Sequence, residues 1–164
     1  INDVSAGRFD PDMAKVAAKF QCPVVLMHSR KRPVDMQNNP EYKSVVEDVV
    51  RELNDSINLF LENGVSRNNI IIDPGIGFAK RFEDNITLLN RLDSLLHLGF
   101  PVLIGTSRKS FIGHITGKDA SHRLSGTLGS IAASYLHGAS FFRVHDVDET
   151  KDLLRVLTSI ENFK

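Results

Sequence analysis

This 164-residue chain has one cysteine, no excess of charge of either sign and no long apolar run. Each shortage closes off a class of protein. Cys22, alone, rules out an internal disulfide and fits a reducing compartment. Lys plus Arg and Asp plus Glu each count 20, so the net charge is zero with His neutral. That balance argues against a nucleic-acid partner, whose binding surface needs a basic excess. It leaves room for an anionic small substrate, because local charge can oppose the average. No apolar run approaches the ~18 residues of a membrane span, and no signal peptide opens the chain. The expected location is therefore cytoplasmic, or organellar in a eukaryote. No group of residues has the spacing of a zinc site, and no Gly-x-Ser-x-Gly elbow occurs. There is no initiator Met, and Ile1 reads as entering the tail of a strand. The chain is thus expected to lack its natural beginning.

What is present is a repeated joint. Five times an apolar, β-branched run stops at polar residues: Ile1-Asn2-Asp3, Val24 to His28, Ile70 to Asp73, Pro101 to Ser107, and Phe141 to Asp146. A loop and then a stretch of helical periodicity follow each. These are β-loop-α units, and their continuously apolar strands are those of a parallel sheet covered on both faces. In such folds ligands bind beyond the carboxyl ends of the strands, where these polar residues lie. No linker divides the units, so one domain is expected. Five units of a barrel, or most of an open doubly wound sheet, would fit. A complete eight-stranded barrel needs ~200 residues or more.

Five helices are predicted. The first runs from about Pro11 to Phe20, capped by Asp10, with Met13, Val16, Ala17 and Phe20 inward. The second is capped by Asn39, starts at Pro40, buries Val45, Val46, Val49, Val50, Leu53, Ile57, Phe60 and Leu61, and ends at Gly64. The third spans about Asp84 to Leu98 and stops at Gly99. The fourth lies within Ser121 to His137, and its Gly126 and Gly129 suit a close approach to the sheet. The fifth starts near Asp146, which has capping-box spacing to Glu149, and carries Leu153, Leu154, Val156, Leu157 and Ile160 on its apolar stripe.

Three joints carry residues suited to chemistry. Asp73 ends an isoleucine run and precedes Pro74-Gly75-Ile76-Gly77-Phe78. Its carboxylate either braces the loop or accepts a paired N–H edge, such as that of a pterin or guanine, on which Phe78 could stack. Thr106-Ser107-Arg108-Lys109-Ser110 places two cations among hydroxyls directly after a buried strand. Lys109 could donate to a carbonyl or ring nitrogen. Arg143 and His145, two apart at a strand end, face one side and form an anion pocket. The other reading of that pair is Arg143 bound to a barrel carboxylate and His145 satisfied in the core. His28 reads as structural, and Arg30-Lys31-Arg32 as a solvated loop.

Together these residues resemble dihydropteroate synthase. The resemblance rests on Ile72-Asp73-Pro74-Gly75-Ile76-Gly77-Phe78, Gly105-Thr106-Ser107-Arg108-Lys109-Ser110-Phe111-Ile112-Gly113, Arg123-Leu124-Ser125-Gly126-Thr127 and Arg143-Val144-His145-Asp146-Val147, in family order and over the whole chain. The segment from Met27 to Pro33 is more basic than the usual family loop and lacks its glycine. The resemblance implies an α/β chain with the TIM (β/α)8 barrel fold of the pterin-binding type, here incomplete, with about five parallel strands and their helices. Residues 1–164 would be the C-terminal part of a single barrel domain whose N-terminal units are missing. It implies a transferase that joins 6-hydroxymethyl-7,8-dihydropterin pyrophosphate to p-aminobenzoate in folate biosynthesis, and a target of sulfonamides.

By matched position, Asn2, Met27, Asp73, Phe78 and Lys109 would bind the pterin. Phe78, Lys109 and Ser110 would bind p-aminobenzoate, and Arg143 and His145 the pyrophosphate. Lys109 and Asp73 would be catalytic. The family implies Mg²⁺ on the pyrophosphate, with no ligand in this chain, and a homodimer. Two other readings are a pterin-binding methyltransferase domain, using methyl-tetrahydrofolate or a corrinoid, and a non-catalytic pterin-binding module. As a separate polypeptide the chain is expected to form an open arc, its outer strand edges unpaired, and to be inactive.

Overall fold

The computed structural model describes residues 1–10, 12–31 and 41–163. Among the described residues, five short strands, β1 (Asn2–Asp3), β2 (Val24–Met27), β3 (Ile70–Asp73), β4 (Leu103–Ile104) and β5 (Phe141–Phe142), alternate with helices. The helices are α1 (Met13–Phe20), α2 (Val45–Glu62), α3 (Phe82–Asn90), α4 (Asp93–Leu96), α5 (Ser110–Thr116), α6 (Leu124–Leu136) and α7 (Val147–Glu161). Every strand pairing is parallel. β1, β2 and β3 form one ladder and β4 and β5 another, joined by a bridge between Ile72 and Val102. Strand order follows chain order without reversal. A doubly wound sheet reverses at a switch point, whereas a barrel advances in one direction, so this is an arc of barrel.

The register sorts the side chains. Asn2 pairs with Val25 and Met27 with Asp73, while Leu103 pairs with Phe141. With a period of two, Asn2, Val25, Met27, Ile71, Asp73, Leu103, Gly105 and Arg143 face the inside of the arc. Val24, Leu26, Ile70, Ile72, Val102 and Ile104 point outward to the helices and are completely buried. The two faces are therefore unequal. Val25, Ile71 and Leu103 are only half-buried, and Phe141 is exposed. The expectation of strands covered on both faces holds on the helix side alone, because an arc does not close around its own interior.

The helices depart from expectation in instructive ways. α1 begins at Met13 behind Asp12, while the Asp10 carboxylate accepts the Asp12 amide in a preceding turn; Pro11 lies outside the described residues. Its buried face is Ala14 and Ala17, and Val16 and Phe20 are exposed, since small residues let this helix lie against α2. α2 buries the expected stripe and ends as expected: Val65 N–H returns to the Phe60 carbonyl and Gly64 N–H to Leu61, with Gly64 at φ +90°. Its expected start at Asn39 and Pro40 lies outside the described residues. The single third helix is broken into α3 and α4 around Arg91 and Leu92, with Leu92 buried at the break. α5 was not foreseen at all. Gly126 of α6 abuts Ile112 of α5 rather than the sheet, and Gly129 has open space beside it. The apolar stripe of α7 is only partly covered: Leu153, Leu154 and Leu157 are half-buried beside α6, while Val156 and Ile160 are exposed.

Candidate functional site

The strand ends converge on a cavity of about 230 Å³ lined by Asn2, Val4, Met27, Phe78, Gly105, Ser107, Lys109, Arg143, Val144 and His145. A larger hollow, of about 1120 Å³, runs along β5 and α7. It is an open groove with mainly apolar walls, away from the strand ends apart from Arg143 and Val144, so the smaller cavity is the candidate chemical site.

Asp73 lies behind the lining, bonded to the Arg143 that forms part of it. The carboxylate is 1% exposed. One oxygen accepts the Gly75 amide at 2.7 Å, and the other accepts Arg143 Nη2 at 2.8 Å. Burial pushes the Asp73 carboxyl above the usual range, against the pull of Arg143. The loop turns so tightly here that a Cβ on Gly75, at φ +69°, would run into the His28 carbonyl. That turn throws Phe78 over the cavity, where the Lys109 ammonium lies 4.3 Å from its ring centre. Burial and the neighbouring Arg143 lower the Lys109 pKa, with Asp73 opposing.

Arg143 does more than line the pocket. Besides Asp73 it donates to Asn2 Oδ1 at 3.0 Å and touches Met27 Sδ at 4.0 Å. The side chains expected at the pterin and pyrophosphate ends are thus in mutual contact. The alternative sequence reading of Arg143, bound to a barrel carboxylate, describes its contact here. His145 Nδ1 lies 2.8 Å from Ser107 Oγ, which also accepts the His145 amide at 3.2 Å. With that oxygen accepting the amide, its hydroxyl proton can point at Nδ1. Ser107 thereby orients the His145 ring at the edge of the cavity.

Three expectations are corrected. Ser110 does not line the cavity; it is exposed at the first position of α5. Asp146 precedes α7 but caps nothing with its side chain: its carboxylate grips the Arg108 guanidinium instead. This turns Arg108 away from the cavity that Lys109 enters. Arg30 is no solvated cation. It pairs with Glu52 and with Asp48 at 3.0 Å, and lies 4.2 Å from the Tyr42 ring centre; Arg32 lies outside the described residues.

Behind the site is a polar network that sequence patterning missed. Glu52, on α2 just before the stripe residue Leu53, accepts Arg8 at 2.9 Å and His28 Nε2 at 3.0 Å as well as Arg30. These partners hold its pKa far below the carboxylate range despite burial. His28 is completely buried, which pushes its pKa down to about 4. The only sequence signal was that His28 shares the parity of Leu26, which turns it toward the helices. Among the described residues, no group of three or more His, Cys, Asp or Glu side chains could hold a metal ion. No described helix is long and apolar enough to cross a membrane.

Comparison with known proteins agrees with this geometry. A family described as pterin binding enzyme matches residues 1–145. The dihydropteroate synthase of Clostridium beijerinckii is 43% identical over 150 residues, covering 91% of this chain and 53% of that protein. That of Synechocystis is 40% identical over 161 residues, covering 98% and 56%. The chain spans about half the length of the curated relatives it matches. Among solved structures, dihydropteroate synthase of Stenotrophomonas maltophilia with active site-bound imidazole superposes with a TM-score of 0.96 at 36% identity, covering 100% of this chain and 62% of that one. The Xanthomonas albilineans enzyme in complex with 7,8-dihydropteroate gives 0.91 at 38%, covering 100% and 60%.

Proposed function

We propose that this chain, which belongs to the family of pterin binding enzymes, carries the substrate-binding face of a dihydropteroate synthase. The reaction joins 6-hydroxymethyl-7,8-dihydropterin pyrophosphate to p-aminobenzoate. The aminobenzoate nitrogen attacks the pterin methylene, the C–O bond to pyrophosphate breaks, and the electron pair leaves on the pyrophosphate oxygen. The nitrogen then loses a proton.

One observation carries this reading: the buried Asp73 carboxylate is bonded to Arg143, which lines a cavity together with Lys109 and His145. The pterin's ring N–H and amine would take the carboxylate oxygen that Arg143 now occupies. Freed from Asp73, the guanidinium would turn to the pyrophosphate beside His145. Pterin binding and phosphate binding would then be one exchange of partners. Negative charge at the ring and positive charge at the leaving group suit the charge separation of the transition state. Lys109, flat against Phe78, would stand between the pterin and the aminobenzoate. A sulfonamide would compete for the aminobenzoate position. Ser110, at the entrance of α5, would reach that ligand only from outside the cavity.

Mg²⁺ is expected on the pyrophosphate. The described residues form no cage for it, which suits a cation that keeps water and substrate phosphates as ligands; the steps above use side chains alone. We also place the protein in the cytoplasm as a homodimer, and residues 1–164 within a single barrel domain, on the strength of the resemblance. The test is pyrophosphate release by the intact protein given both substrates. Pterin binding without turnover would favour a binding module, and a requirement for methyl-tetrahydrofolate or a corrinoid would favour a methyltransferase.

A further inference from the structure

The loop after β3 is fastened from behind by a side chain that never enters the cavity. Lys80 is 6% exposed. Its Nζ lies 3.0 Å from the Phe78 carbonyl oxygen, 3.0 Å from His28 Nδ1 and 3.4 Å from the His28 carbonyl oxygen. An ammonium has three protons, and here it meets three acceptors. The imidazole is set to accept. Glu52, an acceptor only, faces Nε2 and so fixes the ring proton there, leaving the Nδ1 lone pair for Lys80.

The Phe78 carbonyl points inward to Lys80 while its ring lies against Lys109. The residues on either side are held independently. Gly77 N–H donates to Asn85 Oδ1 at 2.6 Å, and the Tyr42 hydroxyl donates to the Ala79 carbonyl at 2.9 Å. Ala79 sits at φ +47°, which a residue with a Cβ seldom adopts unless its surroundings impose it. Of these three positions, only Phe78 presents a side chain to the cavity.

We infer that Lys80 is a positioning residue whose buried amine donates to the Phe78 carbonyl, and thereby sets the Phe78 ring against Lys109 at the aminobenzoate end of the site. The inference rests on the pterin and aminobenzoate reading of that site. A buried cation is costly, and among the described residues none of the hydrogen-bond contacts of Lys80 is a carboxylate. A methionine would fill the same space without that cost, so apolar packing does not account for the amine. The charged and titratable groups facing it are His28 at the end of β2, Asp73 at the end of β3, Glu52 on α2, Arg8 after β1, Asp84 on α3 and Tyr42 before α2. Burial lowers the Lys80 pKa to about 7, with Asp73, Asp84 and Glu52 favouring the charge and Arg8 opposing it. Opening the loop would return the amine toward its ordinary value of 10.5. Opening above neutral pH would therefore take up a proton and become harder as pH rises.

The test compares the intact protein with Lys80→Met and Lys80→Gln. In Lys80→Met, KM for p-aminobenzoate should rise about tenfold, the equivalent of one buried hydrogen bond, while KM for the pterin pyrophosphate moves by less than about threefold. Lys80→Gln, whose amide can still donate to the Phe78 carbonyl, should recover part of the loss. Equal rises in both KM values, or no change in either, would overturn the inference. Hydrogen exchange on the wild type supplies an arm that needs neither turnover nor a folded variant. Protection of the Gly77 and Phe78 amides, corrected for intrinsic rates, should increase between pH 7 and 10, and a flat profile would overturn the inference as well. A wild type with rising protection but no turnover would sink the proposed activity and leave the anchoring of the loop standing.

Discussion

The guanidinium of Arg143 donates to the side-chain oxygen of Asn2 at 3.0 Å, tying the end of β5 to β1 across the mouth of the arc. The same group holds Asp73 at 2.8 Å. Arg143 thus competes with any ligand that would use the carboxylate. Arg143→Ala should weaken pyrophosphate binding at least tenfold, the loss of a charge-assisted contact. Binding of free pterin should be no weaker than in the wild type, because the competitor for Asp73 has gone. Titration calorimetry with each ligand decides it; parallel losses would make Arg143 a purely structural strut.

Asp73→Asn replaces a buried acceptor with a group that can turn an amide N–H toward the pterin's own donors. The mismatch should cost about 2–4 kcal/mol of pterin affinity, a charged hydrogen bond plus an unsatisfied polar group. A variant that binds the pterin within about threefold of wild type would remove the pterin-edge role from Asp73.

Gly75→Ala should damage fold and site together. The Cβ meets backbone, the His28 carbonyl, rather than a side chain that could swing away, and φ +69° is unfavourable for alanine. A loss of about 2 kcal/mol or more in unfolding free energy is expected, from backbone strain and the displaced strand end. Chemical denaturation measures it, and a neutral result would show that the loop can turn by another route.

Acid should destabilise the protein through His28. Its folded pKa, about 4, lies below the ordinary 6.5. Between these values the unfolded chain binds a proton that the folded one refuses, so stability is lost as pH falls from 6.5 to 4. The loss is about 3 kcal/mol for this depression of the pKa. Glu52, depressed below its ordinary 4.5, extends the decline under pH 4.5. Melting temperatures across pH 4 to 7 provide the check: a flat curve would mean that the His28–Glu52 pair is looser than the structure has it.

Much of the architecture was legible because burial leaves a strong mark on composition. The runs at Val24, Ile70 and Val102 read as inner strands, and parity put Arg143 and His145 on one side, whereas bringing Asn2, Met27 and Asp73 beside Arg143 needed the strand register. Patterning failed where a polar partner, not burial, decides. Asp146 has the spacing of a cap, but Arg108 is 38 residues away in sequence and takes its carboxylate. Arg30 looked solvated because Glu52 lies 22 residues on. Lys80 sits in a loop whose hydropathy suggests exposure, and only the turn at Gly75 puts it under cover. Periodicity was half right in α7, whose apolar stripe is half-buried beside α6 at Leu153, Leu154 and Leu157 but exposed at Val156 and Ile160.

The bond between Arg143 and Asn2 spans 141 residues of sequence. The main apolar cluster contains nothing beyond Ala139 among its fully buried members. Closing so long a loop is the entropically dearest contact in the chain, and it cannot be made until β5 has docked. The order of assembly follows: the interior can condense while the anion pocket is still without its arginine. In refolding, recovery of ligand binding should therefore lag behind the recovery of buried structure, and substitutions at Phe141 or Phe142 should lengthen that lag more than they lower the stability of the core.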